Sequence, residues 1–208
     1  MLLGTLALAH SIKMCASSHR PYGWAELQIH ADSQLARYEM GEYPGRSDAG
    51  NQIYTQYKAW CSQRGISNAE YILKYVQWQK GCALEPCLMP YLLDDGLEHW
   101  ILWHHPDTPS AAAGASIEVT LPGDVELDRE REKDTVLETI AAASGEKLDR
   151  SLVITYQNVK QLRSIPQIAH AHVFFNVPRM PAAAQQALVE MRASWRQRSP
   201  WLNAPAES

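Results

Sequence analysis

Between Trp24 and Tyr38 the apolar residues Trp24, Leu27, Ala31, Leu35 and Tyr38 recur at steps of three and four. That spacing lays one side of a helix on a core and predicts a helix over 24–39. The stretch "MGEYPGRSDAGN" follows with Gly41, Pro44, Gly45 and Gly50, a turn, and a second helix is expected over 52–63. "SNAE", Ser67 to Glu70, has the form of a capping box, so a third helix starts there, runs through Tyr75 to Trp78 and stops near Gly81. "EPCLMPYLLDDG" reads as a connection, with its two prolines and Asp-Asp-Gly turn. In "LEHWILW" the period becomes two: Leu97, His99, Ile101 and Trp103 share one side of a strand, and Glu98, Trp100 and Leu102 the other. "HHPDTPSAAAGAS" reads as an exposed connection and "IEVTLPGD" as mixed. Helix resumes at about Val125 and stops at Gly145; "RSLVITYQN" and "IAHAHVFF" read as strands; Pro181 opens a last helix carrying Ala184, Leu188, Met191 and Trp195 on one side. Helices first, then strands separated by one long helical crossing, predict an α+β fold: a small, largely antiparallel sheet packed with helices, and a helical N-terminal third. Residues 21–200 are expected to form a single domain, between an N-terminal segment over 1–20 and a tail over 201–208.

Composition narrows the function classes. With 46% hydrophobic and 20% charged residues the chain is of the soluble globular kind. A net charge of -4 and the lack of a basic cluster on any expected helix argue against a nucleic-acid partner. Cys15, Cys61, Cys82 and Cys87 lack paired CxxC spacing and read as reduced thiols. The apolar start "MLLGTLALAH" is too short to span a bilayer and lacks a basic flank, so a cytoplasmic protein without a membrane partner is expected. No GxSxG, P-loop or GxGxxG occurs, which removes the common serine-hydrolase, NTPase and dinucleotide readings.

The histidines carry the candidate chemistry. His170 and His172 stand two apart in an apolar strand and therefore share a face. His99, on another strand, is the imidazole that a neighbouring register can bring to them. Three neutral imidazoles would suit a divalent transition metal (Fe, Cu, Ni or Zn) with open positions for substrate, or would serve without metal as an acid/base group. Two buried imidazoles without partners cost free energy, which favours a role for the pair. His10, His19, His30, His104 and His105 read as structural. Trp100, Trp103 and Tyr156 are candidates for an apolar pocket wall.

Three stretches taken together, "YTQYKAW", "MPYLLDDGLEHWILW" and "YQNVKQLRSIPQIAHAHVFF", resemble the fungal N-acetylglucosamine-induced protein 1 family over about 24–177. The matching positions are Tyr57 and Trp60; Pro90, Tyr91, His99 and Trp103; and Ser164, Ile165, His170, His172 and Val173. Ala169 departs from that family's Glu, at a position on the face opposite the histidines. The resemblance transfers positions rather than a reaction. "RSIPQIAHAHVFF" is also similar to the end of a histidine-triad nucleotide hydrolase, which would make His170 a nucleophile and His172 a phosphate ligand, with Lys160 and Arg163 as nearby donors. The leading expectation is a small-molecule enzyme that tailors a product of fungal specialised metabolism, centred on His99, His170 and His172. The alternatives are a histidine-triad-like nucleotide hydrolase or transferase, and a non-enzymatic binding or regulatory module with structural histidines.

Overall fold

The computed structural model describes residues 20–107 and 125–203. The apolar N-terminal stretch, most of the Pro- and Ala-rich connection, "IEVTLPGD" and the end of the tail lie outside the described residues. Four strands form one antiparallel sheet: β1 Cys82–Pro86, β2 Leu97–His104, β3 Val153–Tyr156 and β4 His170–Asn176, in the order β1-β2-β4-β3. The helices are α1 Trp24–Asp32, α2 Gln34–Met40, α3 Asp48–Gln63, α4 Asn68–Tyr75, α5 Arg129–Ser144 and α6 Ala182–Arg198. This is the α+β architecture that the pattern predicts.

Both faces of the sheet are covered. On one, Trp100, Leu102, Ala171, Val173 and Phe175 pack against Val136 and Ile140 of α5 and Leu188 of α6. On the other, Ile101 and Trp103 meet Tyr57, Trp60, Tyr71 and Ile72 of α3 and α4, while Ile154, Tyr156 and Phe174 meet Leu27 and Ala31 of α1. The strands are therefore buried on both sides, and alternation along them sorts residues between two cores rather than between core and water.

Several boundaries differ from the sequence pattern for local reasons. The helix expected over 24–39 is broken at Ser33, whose φ of -138° is not helical and whose hydroxyl donates to the Ile29 carbonyl at 2.6 Å. α3 begins before its apolar pattern does, because Ser47 caps it by accepting from the Gly50 N–H at 3.0 Å. The Ser67–Glu70 capping box forms, but α4 ends at Tyr75 rather than Trp78, and the chain turns through Lys80 and Gly81 at positive φ of 50° and 84°. That turn launches β1, which the sequence presents only as a connection; β1 is an edge strand, where a terminal proline is tolerated. α5 starts at Arg129 because the Asp128 carboxylate accepts from the N–H groups of Glu130 and Arg131, and Gly145 ends it in the left-handed region at φ 75°.

Candidate functional site

The register of β2 on β4 sets Ile101 opposite His172 and Trp103 opposite His170, so His99 lies diagonal to His172 on the α3/α4 side of the sheet. The rings of His99 and His172 meet: Nε2 of the first is 2.8 Å from Nδ1 of the second. His170 stands alongside, its ring centroid 5.8 Å from that of His172. All three are buried. Tyr91, from the loop before β2, stacks over both His99 and His172 at centroid distances of 4.5 and 5.4 Å, and Phe174 stacks under His99 at 4.6 Å.

Hydrogen-bond polarity fixes the tautomers. The backbone N–H of Tyr91 can only donate, and it points at His99 Nδ1 at 3.3 Å. A neutral His99 then carries its proton on Nε2 and donates to His172 Nδ1, which leaves the His172 proton on Nε2. The Asn158 carboxamide faces that atom, with Nδ2 2.9 Å from His172 Nε2 and 3.3 Å from the Tyr91 hydroxyl. Two donors cannot satisfy each other, so the network closes with the two ends of the amide exchanged, its oxygen accepting from both His172 and Tyr91. His170 is set independently: the Ile168 carbonyl, 2.8 Å from Nδ1, can only accept, so the proton sits on Nδ1. Its Nε2 is left as a lone pair without a hydrogen bond among the described residues.

Burial keeps these rings neutral. It lowers His99 to about 3 and His170 to about 4, and holds His172 well below the ordinary histidine value; the Arg46 charge pushes His99 and His172 the same way. Over the rings lies a cavity of about 90 Å³, lined among others by Arg46, Tyr91, His99, Trp103, His170 and His172. The Arg46 guanidinium lies over the Tyr54 ring at 4.7 Å, and its buried Nε has no hydrogen-bond partner among the described residues. The carboxylate in the lining, Glu85, is engaged by Arg198 at 3.0 Å and by the Gln77 N–H at 3.2 Å.

The residues singled out from sequence scatter around this site. Trp103 lines the cavity and packs on His170 at a centroid distance of 4.9 Å. Tyr156 is a wall of a different kind: it stacks on His172 at 5.5 Å and on Phe174, inside the α1 core and away from the cavity lining. Trp100 is no part of the pocket. As an even position of β2 it is fully buried on the α5/α6 face, where its indole N–H donates to Glu98 at 2.9 Å. Arg163 donates from Nε to the Asn158 carbonyl at 2.8 Å and so positions the Asn158 loop rather than lining the cavity. Arg46, Tyr91 and Asn158 were not marked by sequence reasoning. Tyr91 carried a signal, the Pro-Tyr of the family resemblance, whereas nothing local distinguishes Asn158 or Arg46.

The donor set does not fit a three-imidazole metal site. Both nitrogens of His99 and of His172 are taken up by the hydrogen-bonded chain, which leaves His170 Nε2 as the one open imidazole nitrogen of the three. Among the described residues, no group of three or more His, Cys, Asp and Glu side chains is arranged to hold a metal ion. Nor is any helix among them long and apolar enough to cross a membrane.

No curated protein matches the chain. A solved structure described as "Crystal Structure of HTC1" shares the fold at a TM-score of 0.52 with 18% identity, covering 83% of this chain and 96% of that one. At that identity the likeness speaks for the fold alone. Residues 39–176 match the family described as protein of unknown function (DUF3605), a match that contains Tyr91, His99, Asn158, His170 and His172. It supports membership of a family without an assigned activity, not the N-acetylglucosamine-induced or histidine-triad likeness in particular. With its sheet and its histidine chain inside the matched region, which exceeds half its length, the chain belongs to the DUF3605 family.

Proposed function

We infer that the protein is a small-molecule enzyme in which His170 is the acid/base group and Arg46 holds a carboxylate of the substrate. The observation that carries this reading is the bare Nε2 of His170, on a ring that lines the cavity and whose other nitrogen is pinned to a backbone carbonyl. A fixed imidazole with one open lone pair is what general-base catalysis needs. Arg46 supports the substrate class: it is the single Lys or Arg in a lining otherwise rich in Tyr, Trp and aliphatic side chains, and it makes no ion pair among the described residues. One guanidinium matches a monoanion, and a carboxylate is its bidentate partner. An anion bound there raises the basicity of His170, offsetting part of what burial removes. His99, His172 and Asn158 form the fixed polar floor. Tailoring of a fungal specialised metabolite remains the finer form of this proposal, supported by the sequence resemblance to the N-acetylglucosamine-induced family. The histidine-triad alternative is weaker, since His172 has no nitrogen free for a phosphate and the lining offers a single permanent cation.

Phenylpyruvate in D2O, with its methyl ester as the neutral comparison, tests the reading by proton NMR. His170 Nε2 would take a proton from the carbon beside the keto group, leaving the electron pair on the substrate as an enolate, and deuterium would return. Exchange above background for the acid and not the ester, lost in His170→Gln and in Arg46→Gln, is the expected result. No exchange above background, or exchange that survives His170→Gln, would sink it.

A further inference from the structure

On the opposite face of the sheet a second histidine has a different set of neighbours. Cys82 opens β1 and His104 closes β2, and the antiparallel register places them directly across from each other. The Cys82 Sγ lies 3.5 Å from His104 Nδ1, and the other ring nitrogen, Nε2, lies 2.6 Å from a carboxylate oxygen of Glu132 on α5. Glu132 is buried and cannot trade its partner for water. The backbone on both sides is tied down. The turn before Cys82 is closed by reciprocal bonds between Gln79 and Cys82 at 2.7 and 3.0 Å, and it holds Lys80 at a positive φ that a side chain rarely adopts. The His104 N–H is held by the Ala169 carbonyl and the His105 N–H by the Gly81 carbonyl.

A nucleophile in reach of a base, with the base oriented by a third group, is the signature of an activated nucleophile. Access comes from a groove of about 610 Å³ between β1, α5 and α6, which Cys82 lines together with Lys80, Leu84, Thr135, Glu138 and Met191. Cys61 and Cys87 are free thiols that belong to the other face, in or against the α3/α4 core, so neither is placed to resolve an oxidised Cys82 as a disulfide. Among the described residues, that geometry favours acyl chemistry over redox chemistry.

We propose that Cys82, His104 and Glu132 form a second reactive centre, in which the Cys82 thiol accepts an acyl group from a small thioester bound in the groove. In the step, His104 Nδ1 already holds the proton of the thiol as Sγ attacks the acyl carbonyl carbon. The new sulfur–acyl bond forms as the carbon–sulfur bond of the incoming thioester breaks, and the leaving thiolate takes that proton from His104. Glu132 is a positioning residue that holds the imidazole through Nε2.

Two probes test this on the full chain at pH 6.5. Iodoacetamide labelling, resolved by peptide mass spectrometry, should modify Cys82 first and at least about tenfold faster than it modifies free glutathione. Glu132→Gln, which keeps the shape of the side chain, should remove most of that excess while the rates at Cys61 and Cys87 stay unchanged. Phenyl thioacetate should then acetylate Cys82, and prior alkylation should prevent it. Cys82 reacting no faster than glutathione, or equally fast in Glu132→Gln, overturns the triad; fast alkylation with no acetyl transfer overturns the acyl role. If Glu132→Gln does not fold, the comparison of the unaltered chain with glutathione decides. None of these readings depends on the cavity on the other face.

Discussion

Two histidine environments lie back to back on the same strand pair and are driven to opposite protonation states. His99, His170 and His172 face a cavity whose one carboxylate is already engaged, and they answer burial by staying neutral and bonding to one another, to an amide and to backbone. His104 is also pushed down by burial, the largest single influence on it, yet its contacts with Cys82 and with the Glu132 carboxylate outweigh that and raise it to about 9. A strand has placed similar rings a few residues apart, and the presence or absence of one acidic partner on the facing helix decides which carry charge. The neutral face suits proton abstraction by an uncharged base; the charged face suits activation of a thiol.

Removing a ring from each side should break the comparison most sharply. His172→Ala strips the neutral chain at its middle, leaving the His99 Nε2–H and the Asn158 amide buried without partners and opening a void under Tyr91. The expected loss is about 3 kcal/mol, from unsatisfied polar groups and a cavity together. His104→Ala leaves the buried Glu132 without its imidazole, but His104 itself is only partly buried, so the space its ring vacates opens to solvent and a smaller loss, about 1–2 kcal/mol, is expected. Urea unfolding of both variants measures this. Equal losses would mean that the neutral chain is no more tightly specified than the ion pair.

The pH dependence of stability should have an arm from each face. The buried rings titrate lower in the folded chain than at the ordinary value of about 6.5, so the unfolded state binds more protons as pH falls from about 6.5 toward 4, and stability falls with it. His30, buried against Tyr156 and lowered to about 4, adds to the same arm. His104 works in the other direction. Raised to about 9, it contributes fully below about pH 6.5 and loses that contribution as pH rises toward 9. Each unmatched proton is worth about 1.4 kcal/mol per pH unit, so the acid arm, drawing on several rings, should be the steeper. Thermal unfolding between pH 4 and 9 checks this, and His104→Gln should flatten the alkaline arm while sparing the acid one.

How much of this was legible in the sequence follows from which signals are local. The period of two in "LEHWILW" and "IAHAHVFF" was enough to place His99, His170 and His172 on definable faces, because side-chain alternation depends on the strand alone. The same period also placed Trp100 on the face opposite His99, which the rule left visible even while Trp100 was considered for the pocket wall. Metal ligation was not decidable from spacing, since two imidazoles that can share a metal can equally share a proton. That choice rests on the Tyr91 N–H and the Asn158 amide, which come from separate loops. Arg46 enters from the turn before α3, and Glu132 reaches His104 from a helix 28 residues along the chain. Such partners are fixed by tertiary packing and leave no trace in a window of neighbours.

The smallest expected effect isolates the direction of the hydrogen-bond chain. Tyr91 contributes two groups to it: a backbone N–H that fixes His99, and a hydroxyl that meets the Asn158 amide at 3.3 Å. Tyr91→Phe removes only the second and keeps the ring that stacks on both histidines. If the amide oxygen accepts from His172 and from Tyr91, the variant loses one of two bonds to that oxygen, His172 stays satisfied, and the cost is about 1 kcal/mol with the tautomers unchanged. If instead the amide nitrogen faced His172, the chain would have to run the other way, with the His172 proton on Nδ1 and a clash of donors between Tyr91 and His99. Nitrogen-15 chemical shifts of the imidazoles separate the two in the parent protein and in the variant. Protonated Nε2 on both His99 and His172, with protonated Nδ1 on His170, is the pattern expected, and a protonated Nδ1 on His172 would reverse the chain.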